Sequence, residues 1–248
     1  MLHTESLYSN SFSIFTHVDI VYSLIFPIHN EEARIHNISA IIDFFKANLL
    51  ENFEIILVSN GSTDATNELA NELALKFPQV KLIETSKVGR GNALRLGFLA
   101  ARGKLVGVCA IDRAWDEHFF LEAAEIFRAS NIDIVYGPKT HPHSKISRPF
   151  IRRVISYFSK LYIAFLFNTP LEDTQCIKLF KKESCSFIAN LGDYNYFAEV
   201  EFYLYAKSAH LKAVSIPVLV CDSNLHSKVR LISLWQFLLE AMHFRFKN

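Results

Sequence analysis

Short apolar runs alternate with longer segments of helical period through the first half of the chain. Tyr22–Pro27 predicts a buried strand closed by proline, and Glu54–Val58 predicts a second that ends in an Asn60-Gly61 turn. Between them Ile35, Ile38, Ile41, Ile42 and Phe45 recur at i, i+3 and i+4, which predicts a helix over Glu31–Leu50. Further helices are predicted over Asp64–Phe77 and Asn92–Arg102, with strands over Val80–Ile83 and Leu105–Cys109. Strands alternating with helices of this length need right-handed crossovers. The pattern therefore implies a mainly parallel sheet between two helical layers.

Beyond Asp112 the rhythm changes. The pattern predicts a helix over Asp116–Ser130, a strand over Ile132–Tyr136, a basic Pro/His-rich loop over 138–149 and a long aromatic helix over Phe150–Phe167. A strand near Gln175–Phe180, a helix over Ala198–Ser208, a strand over Ala213–Val218 and a second aromatic helix over Leu231–Phe246 complete the reading. Residues 1–20 carry no clear period and read as an N-terminal extension. Residues 21–230 form the α/β domain, and 231–248 a C-terminal amphipathic helix, with no internal repeat or low-complexity linker.

Composition narrows the classes. Half of the 248 residues are hydrophobic and 21% are charged, which excludes a disordered chain and a coiled coil. Twenty-six basic against 25 acidic residues leave no electrostatic footprint for nucleic acid. The four cysteines lack a C-x-x-C pair, so the expectation is a reducing, cytoplasmic setting without a disulfide framework or zinc site. Twenty-two phenylalanines point either to an aromatic core or to a surface that meets something apolar. The longest uninterrupted apolar run, Leu161–Phe167, is far short of the ~18–20 residues that cross a bilayer. In the last helix Leu231, Leu234, Trp235, Leu238 and Met242 form one stripe, widened by Phe237, Ala241 and Phe244 and flanked by basic residues. Two readings follow: peripheral association at the inner face of a membrane, or packing of these stripes on the sheet or on a second subunit in a homodimer.

In an open α/β sheet, ligands bind beyond the carboxyl ends of the strands. Pro27-Ile28-His29-Asn30-Glu31, Ser59-Asn60-Gly61 and Ala110-Ile111-Asp112 all end strands there, and Gly89-Arg90-Gly91 opens a helix. The glycines let backbone approach a ligand, and an arginine at that point can grip phosphate. Gly89, Gly91 and Gly97 do not make a G-x-G-x-x-G, and no G-K-S/T follows, which disfavours a Rossmann oxidoreductase and a P-loop NTPase.

Together these segments resemble the GT-A glycosyltransferases of family 2, particularly the dolichyl-phosphate mannose synthase-like branch. The family's P-x-[YH]-N-E-E is matched by Pro27–Glu32, its D-D-G-S-x-D in part by Ser59–Asp64, and its G-K/R-G-x-A by Gly89–Ala93. Asp173–Phe180 looks like its D-T-x-C-G-F-x-L-F. Glu201 falls on its late glutamate, and Ile216-Pro217-Val218 with Ser227-Lys228 on its C-terminal signature. The resemblance implies a GT-A three-layer α/β fold and sugar transfer from a nucleotide diphosphate sugar, with inversion. The implied acceptor is a polyprenyl phosphate or a glycan hydroxyl. It further implies that Asp112 takes a Mg²⁺ or Mn²⁺ ion and that Arg90 meets the diphosphate. Asp173 would act on the acceptor. Pro27, His29, Asn30, Glu31, Ser59, Asn60, Gly61, Gly89 and Gly91 would frame the nucleotide. Arg148, Arg152, Arg153 and Glu201 would lie on the acceptor side.

The departures from the family pattern are specific. Ser59 and Asn60 stand where the family has two aspartates, Ala110 where D-x-D has its first carboxylate, and Ile177 where it has glycine. One carboxylate with phosphate oxygens and water still suits Mg²⁺, at reduced affinity. The competing reading is a non-catalytic, nucleotide-sugar-binding relative. A nucleotidyltransferase fits less well, because its Gly/Arg loop follows the first strand rather than the third.

Overall fold

A computed structural model describes residues 21–48, 52–112, 116–147, 150–173, 176–221 and 231–247. The strands β1 (Tyr22–Ile28), β2 (Phe53–Asn60), β3 (Val80–Thr85) and β4 (Leu105–Val108) alternate with the helices α1 (Asn37–Asn48), α2 (Thr66–Lys76) and α3 (Arg90–Ala100). Then follow α4 (His118–Ala129), β5 (Ile134–Gly137), β6 (Lys145–Ser147), α5 (Phe150–Phe167), β7 (Ile177–Lys181) and a 3₁₀ turn at Ser186–Asn190. The chain ends with α6 (Ala198–Ser208), β8 (Ala213–Ser215), β9 (Leu219–Cys221) and α7 (Leu231–Lys247).

The main sheet has the order β3-β2-β1-β4-β7-β5-β8, and β7 runs antiparallel to both of its neighbours. The other pairs are parallel, with Ile25 opposite Ile56 on one side and Val108 on the other. Apolar residues on both faces of β1 and β2 explain the three layers. Leu24, Phe26, Ile55 and Leu57 pack under α1 and α4 against Phe45 and Phe120; Ile25, Ile56 and Val58 pack under α3 and α6 against Leu94 and Phe98. Strand order reverses between β1 and β4, which opens a crevice at their carboxyl ends.

The structure moves several predicted boundaries. The helix expected from Glu31 begins only at Asn37, and residues 32–36 are turns. The cause is tertiary: the Glu31 N–H donates to Thr66 Oγ1 at 2.7 Å, and the Glu32 carboxylate accepts the Ala65 N–H at 3.1 Å. The loop expected over 138–149 contains β6, which pairs with the unforeseen β9.

The last helix is a larger correction. The stripe expected to define its apolar face is split: Phe237, Ala241 and Phe244 are the buried side chains, while Trp235 and Met242 are exposed. Phe244 and Phe237 pack on Phe197, 5.1 and 6.3 Å between ring centroids, and Phe167 lies 6.0 Å from Phe244. A ring cluster joining α5, α6 and α7 thus selects the face that hydrophobicity alone ranked second. The N-terminal extension, Arg148 and Ser227-Lys228 lie outside the described residues, as do the side chains of Arg152 and Leu231.

Candidate active site

The loop after β1 is laced to the loop after β2. Asn30 takes a left-handed φ of 54°, which its short polar side chain tolerates. Its Oδ1 accepts the Thr63 N–H at 2.8 Å, and its own N–H donates to Ser62 Oγ at 3.2 Å. His29 Nδ1 lies 2.9 Å from the Asn60 carbonyl oxygen. Asp64 accepts hydrogen bonds from the Thr66 side chain and backbone and from the Glu32 N–H. Desolvation opposes its ionisation, and these hydrogen bonds together outweigh it and hold its carboxyl below the usual range.

Ser59 and Asn60, expected to frame the nucleotide, are buried and hydrogen-bonded within the protein. They are 1% and 5% exposed. Ser59 Oγ donates to Asn67 Oδ1 at 2.5 Å, and Asn60 donates to the Ile28 carbonyl at 2.9 Å while accepting the Gly89 N–H at 3.2 Å. Asn60 therefore braces β1, β2 and the Gly-Arg-Gly loop to one another. A carboxylate could not donate to Ile28 in this way, so the amide suits this brace.

The glycines of that loop make room for protein as well. A Cβ on Gly91 would stand 2.1 Å from the Gly192 carbonyl oxygen, and one on Gly89 2.7 Å from that of Asp193. The Gly91 N–H donates to the Tyr194 carbonyl at 2.8 Å. Segment 191–194 thus lies directly on the loop. Arg95 and Lys87 pair with Asp193 there, and the Glu201 carboxylate takes the Gly192 N–H at 3.0 and 3.1 Å. From α7, Glu240 accepts the N–H groups of Asn195, Tyr196 and Phe197 at 2.9–3.1 Å. Glu201, expected on the acceptor side, is buried beneath this segment. Burial raises its carboxyl to about 7 despite the Gly192 hydrogen bond.

Arg90 is held by a carboxylate that the sequence reading missed. Its Nη2 and Nε lie 2.8 and 2.9 Å from Glu199 Oε1, while Lys178 Nζ pairs with Glu199 Oε2. Burial works against the charged Glu199, but Lys178 and Arg90 outweigh it and hold the carboxyl at about 2. Burial likewise opposes the Lys178 ammonium, and Glu199 overcomes it and raises the pKa. A lysine inside the apolar run Ile177–Phe180 was the available signal, since a charge in a buried strand requires a partner. Asp173 is similarly engaged: its Oδ2 lies 2.7 Å from Lys139 Nζ and accepts the Lys139 N–H at 2.9 Å. Lys139, too, was not singled out by the sequence.

Glu31 marks the acidic side of the crevice. It pairs with Arg34 at 2.5 Å, yet burial raises its pKa above the usual value, with Asp112 and Asp64 adding to the rise. Among the described residues no group of three or more His, Cys, Asp or Glu is placed to hold a metal ion. Asp112 gives a single hard oxygen donor set, which fits a magnesium-type ion whose remaining ligands are diphosphate oxygens and water. Cys185 is buried and Cys176 half-buried, and desolvation pushes their thiols to about 12 and about 11, so neither is a thiolate nucleophile. Of the expected basic acceptor-side group, Arg153 is exposed, with its guanidinium 5.7 Å from the Phe150 ring.

Three layers, a sheet order that reverses at β1/β4 and four strand-end loops on that crevice define a GT-A glycosyltransferase domain. The family model "Glycosyl transferase family 2" matches residues 23–188, and the chain belongs to that family. The dolichyl-phosphate beta-glucosyltransferase ALG5A of Trichomonas vaginalis is 28% identical over 218 residues, covering 83% of this chain and 67% of the relative. Glycosyltransferase AglD of Haloferax volcanii is 27% identical over 211 residues, covering 82% of this chain and 33% of the relative. The chain thus spans from one third to about two thirds of these curated relatives. Among solved structures, glucosyl-3-phosphoglycerate synthase of Mycobacterium tuberculosis with Mn²⁺, uridine diphosphate and glucosyl-3-phosphoglycerate aligns at a TM-score of 0.66. It is 16% identical and covers 91% of this chain and 80% of its own, a likeness of fold.

Proposed function

We propose that this chain transfers a sugar from a nucleotide diphosphate sugar to a lipid-linked phosphate, with inversion. The observation that carries this reading is the similarity to dolichyl-phosphate beta-glucosyltransferases along 83% of the chain, on a crevice that keeps Asp112, Arg90 and Asp173. In the transfer, an acceptor phosphate oxygen attacks the anomeric carbon. The bond from that carbon to the donor's diphosphate oxygen breaks, and nucleoside diphosphate leaves with the electron pair. An acceptor that is already an oxyanion needs no strong base, so Asp173, paired with Lys139, serves to orient. Arg90, fixed by Glu199, offers its remaining N–H donors to the diphosphate where charge develops. A divalent cation held by Asp112 would neutralise further charge on the leaving group.

The same reading puts the reaction at a membrane surface, and the exposed faces of α5 and α7 support it. Phe150, Phe158, Phe165, Trp235 and Phe246 are exposed there among Arg153, Lys160, Arg245 and Lys247, while the one acid of either helix, Glu240, is occupied by backbone N–H groups. Aromatic groups amid cations suit the headgroup region of an anionic membrane. No described helix is long and apolar enough to cross one.

The test incubates the full chain with labelled UDP-glucose, other nucleotide sugars and a polyprenyl phosphate, with and without Mn²⁺. The expected product is the polyprenyl-phosphate sugar. Nucleotide binding without transfer from any donor would favour the non-catalytic relative, the reading that Ala110, Ser59 and Asn60 support.

A further inference from the structure

Glu240 is the only acid on α7, and its carboxylate meets backbone rather than a cation. Its Oε1 accepts the Asn195 N–H at 3.1 Å, and its Oε2 accepts those of Tyr196 and Phe197 at 2.9 Å each. Among the described residues these three N–H groups have no other acceptor. Hydrogen bonds to an ionised oxygen are the strong ones, and negative charge is favoured at the start of a helix, here α6. The rings of Phe237 and Phe244 on Phe197, with the buried Ala241, already seat α7. The carboxylate adds what packed rings do not supply, a fixed position for the backbone of residues 195–197.

The residues on either side of that tripeptide are the ones that touch the Gly-Arg-Gly loop. Immediately before it, the Tyr194 carbonyl accepts the Gly91 N–H at 2.8 Å. Two residues after it, Glu199 Oε1 lies 2.9 Å from Nε and 2.8 Å from Nη2 of Arg90, which leaves other N–H donors of the guanidinium for a phosphate. The loop has little of its own to hold it. Gly89, the N-cap of α3, has a φ of 147° and no side chain with which to cap the helix. Its placement therefore comes from the segment laid against it, and Glu240 fixes that segment at its centre.

We propose that Glu240 is a positioning residue for the donor: from α7 it fixes residues 195–197, and through Tyr194 and Glu199 it holds Gly91 and the Arg90 guanidinium where the diphosphate is gripped. The inference rests on the reading of Arg90 as the diphosphate contact. Helix α7 lies outside residues 23–188, the span of the family match, and so completes from a distance a site built on β1–β4.

Calorimetric titration of the full chain with UDP and Mg²⁺, and with uridine as the probe without phosphates, tests it. Glu240→Ala is expected to weaken UDP about tenfold and to leave uridine within about twofold, because only the phosphates meet Arg90. Arg90→Ala is expected to cost about tenfold as well. Glu240→Ala added to it is expected to cost less than about twofold more, since both act on one contact. Glu240→Gln keeps the volume and one acceptor; it is expected to lose about threefold and serves if the alanine variant does not fold. Leu239→Ala, exposed beside it on α7, is expected to change neither ligand. Equal loss of UDP and uridine in Glu240→Ala, or losses that add in the double variant, overturns the proposal, since a helix that merely supports the fold would give them. UDP affinity unchanged in both Glu240 variants also overturns it and leaves the role of Arg90 intact. UDP affinity unchanged in Arg90→Ala removes the diphosphate reading itself, and the positioning role with it.

Discussion

The strands β1 and β2 and the helix pair α5 and α7 are both rich in apolar residues, and they use them in opposite ways. Leu24, Ile25, Ile55, Ile56 and Leu57 are at most 1% exposed, closed on both faces by helices. On α5 and α7, Phe165 is 87% and Trp235 62% exposed, although Ile163 and Phe237 of the same helices are buried. The first region spends its hydrophobicity on fixing strand ends to which the crevice loops are tied. The second uses only one face of each helix on the fold and leaves large apolar side chains exposed on the other.

The largest effect expected from that contrast is on stability. Phe45→Ala, on the fully buried side of α1, is expected to cost about 3–5 kcal/mol in chemical denaturation. Phe165→Ser is expected to stay within about 0.5 kcal/mol, and together with Trp235→Ser to reduce flotation with anionic liposomes at low salt. A large loss of stability in the α5 variant, with flotation unchanged, would mean that its outer face is structural.

Two of the buried glutamates, Glu199 and Glu201, sharpen the comparison through pH. Glu201 has its carboxyl raised to about 7, so its contribution is full below pH 4.5 and is lost as pH rises through about 7. Glu201→Gln is expected to remove about 2 kcal/mol of the decline in stability between pH 5 and 8, read by urea midpoints. Glu199 has the opposite sign. Its carboxyl is held at about 2, so its contribution is present above pH 4.5 and fades as pH falls toward 2. A Glu201→Gln variant whose stability still declines like the parent's over pH 5–8 would refute the assignment.

The smallest effect belongs to the crevice. Ala110→Asp restores a second carboxylate and is expected to tighten Mn²⁺ in the presence of UDP by about tenfold, or about 1.4 kcal/mol. Asp112→Asn is expected to abolish metal-supported UDP binding. If it does not, the cation is held elsewhere.

The alternation of strands and helices was legible because each element buries a face and so imposes its period on local sequence. The family resemblance rested on loops whose order and spacing the backbone constrains, and Asp112 and Arg90 were singled out that way. What neighbouring residues could not encode is which of two apolar stripes on α7 packs inward. That choice depends on the rings of Phe167, Phe197 and Tyr194, which come from two other segments. Ser59 and Asn60 likewise read as lost carboxylates until Ile28, Asn67 and Gly89 were seen around them.

By itself, then, the sequence determined the strand–helix order, the three-layer class and the positions of the loops, because period and turn chemistry act over a few residues. Only the tertiary structure decided the start of α1, the Lys178–Glu199–Arg90 network, and the clamp of residues 191–197 on the glycine loop. Each of these brings together groups far apart in the chain, and burial then makes their hydrogen bonds and charges strong enough to override local preference.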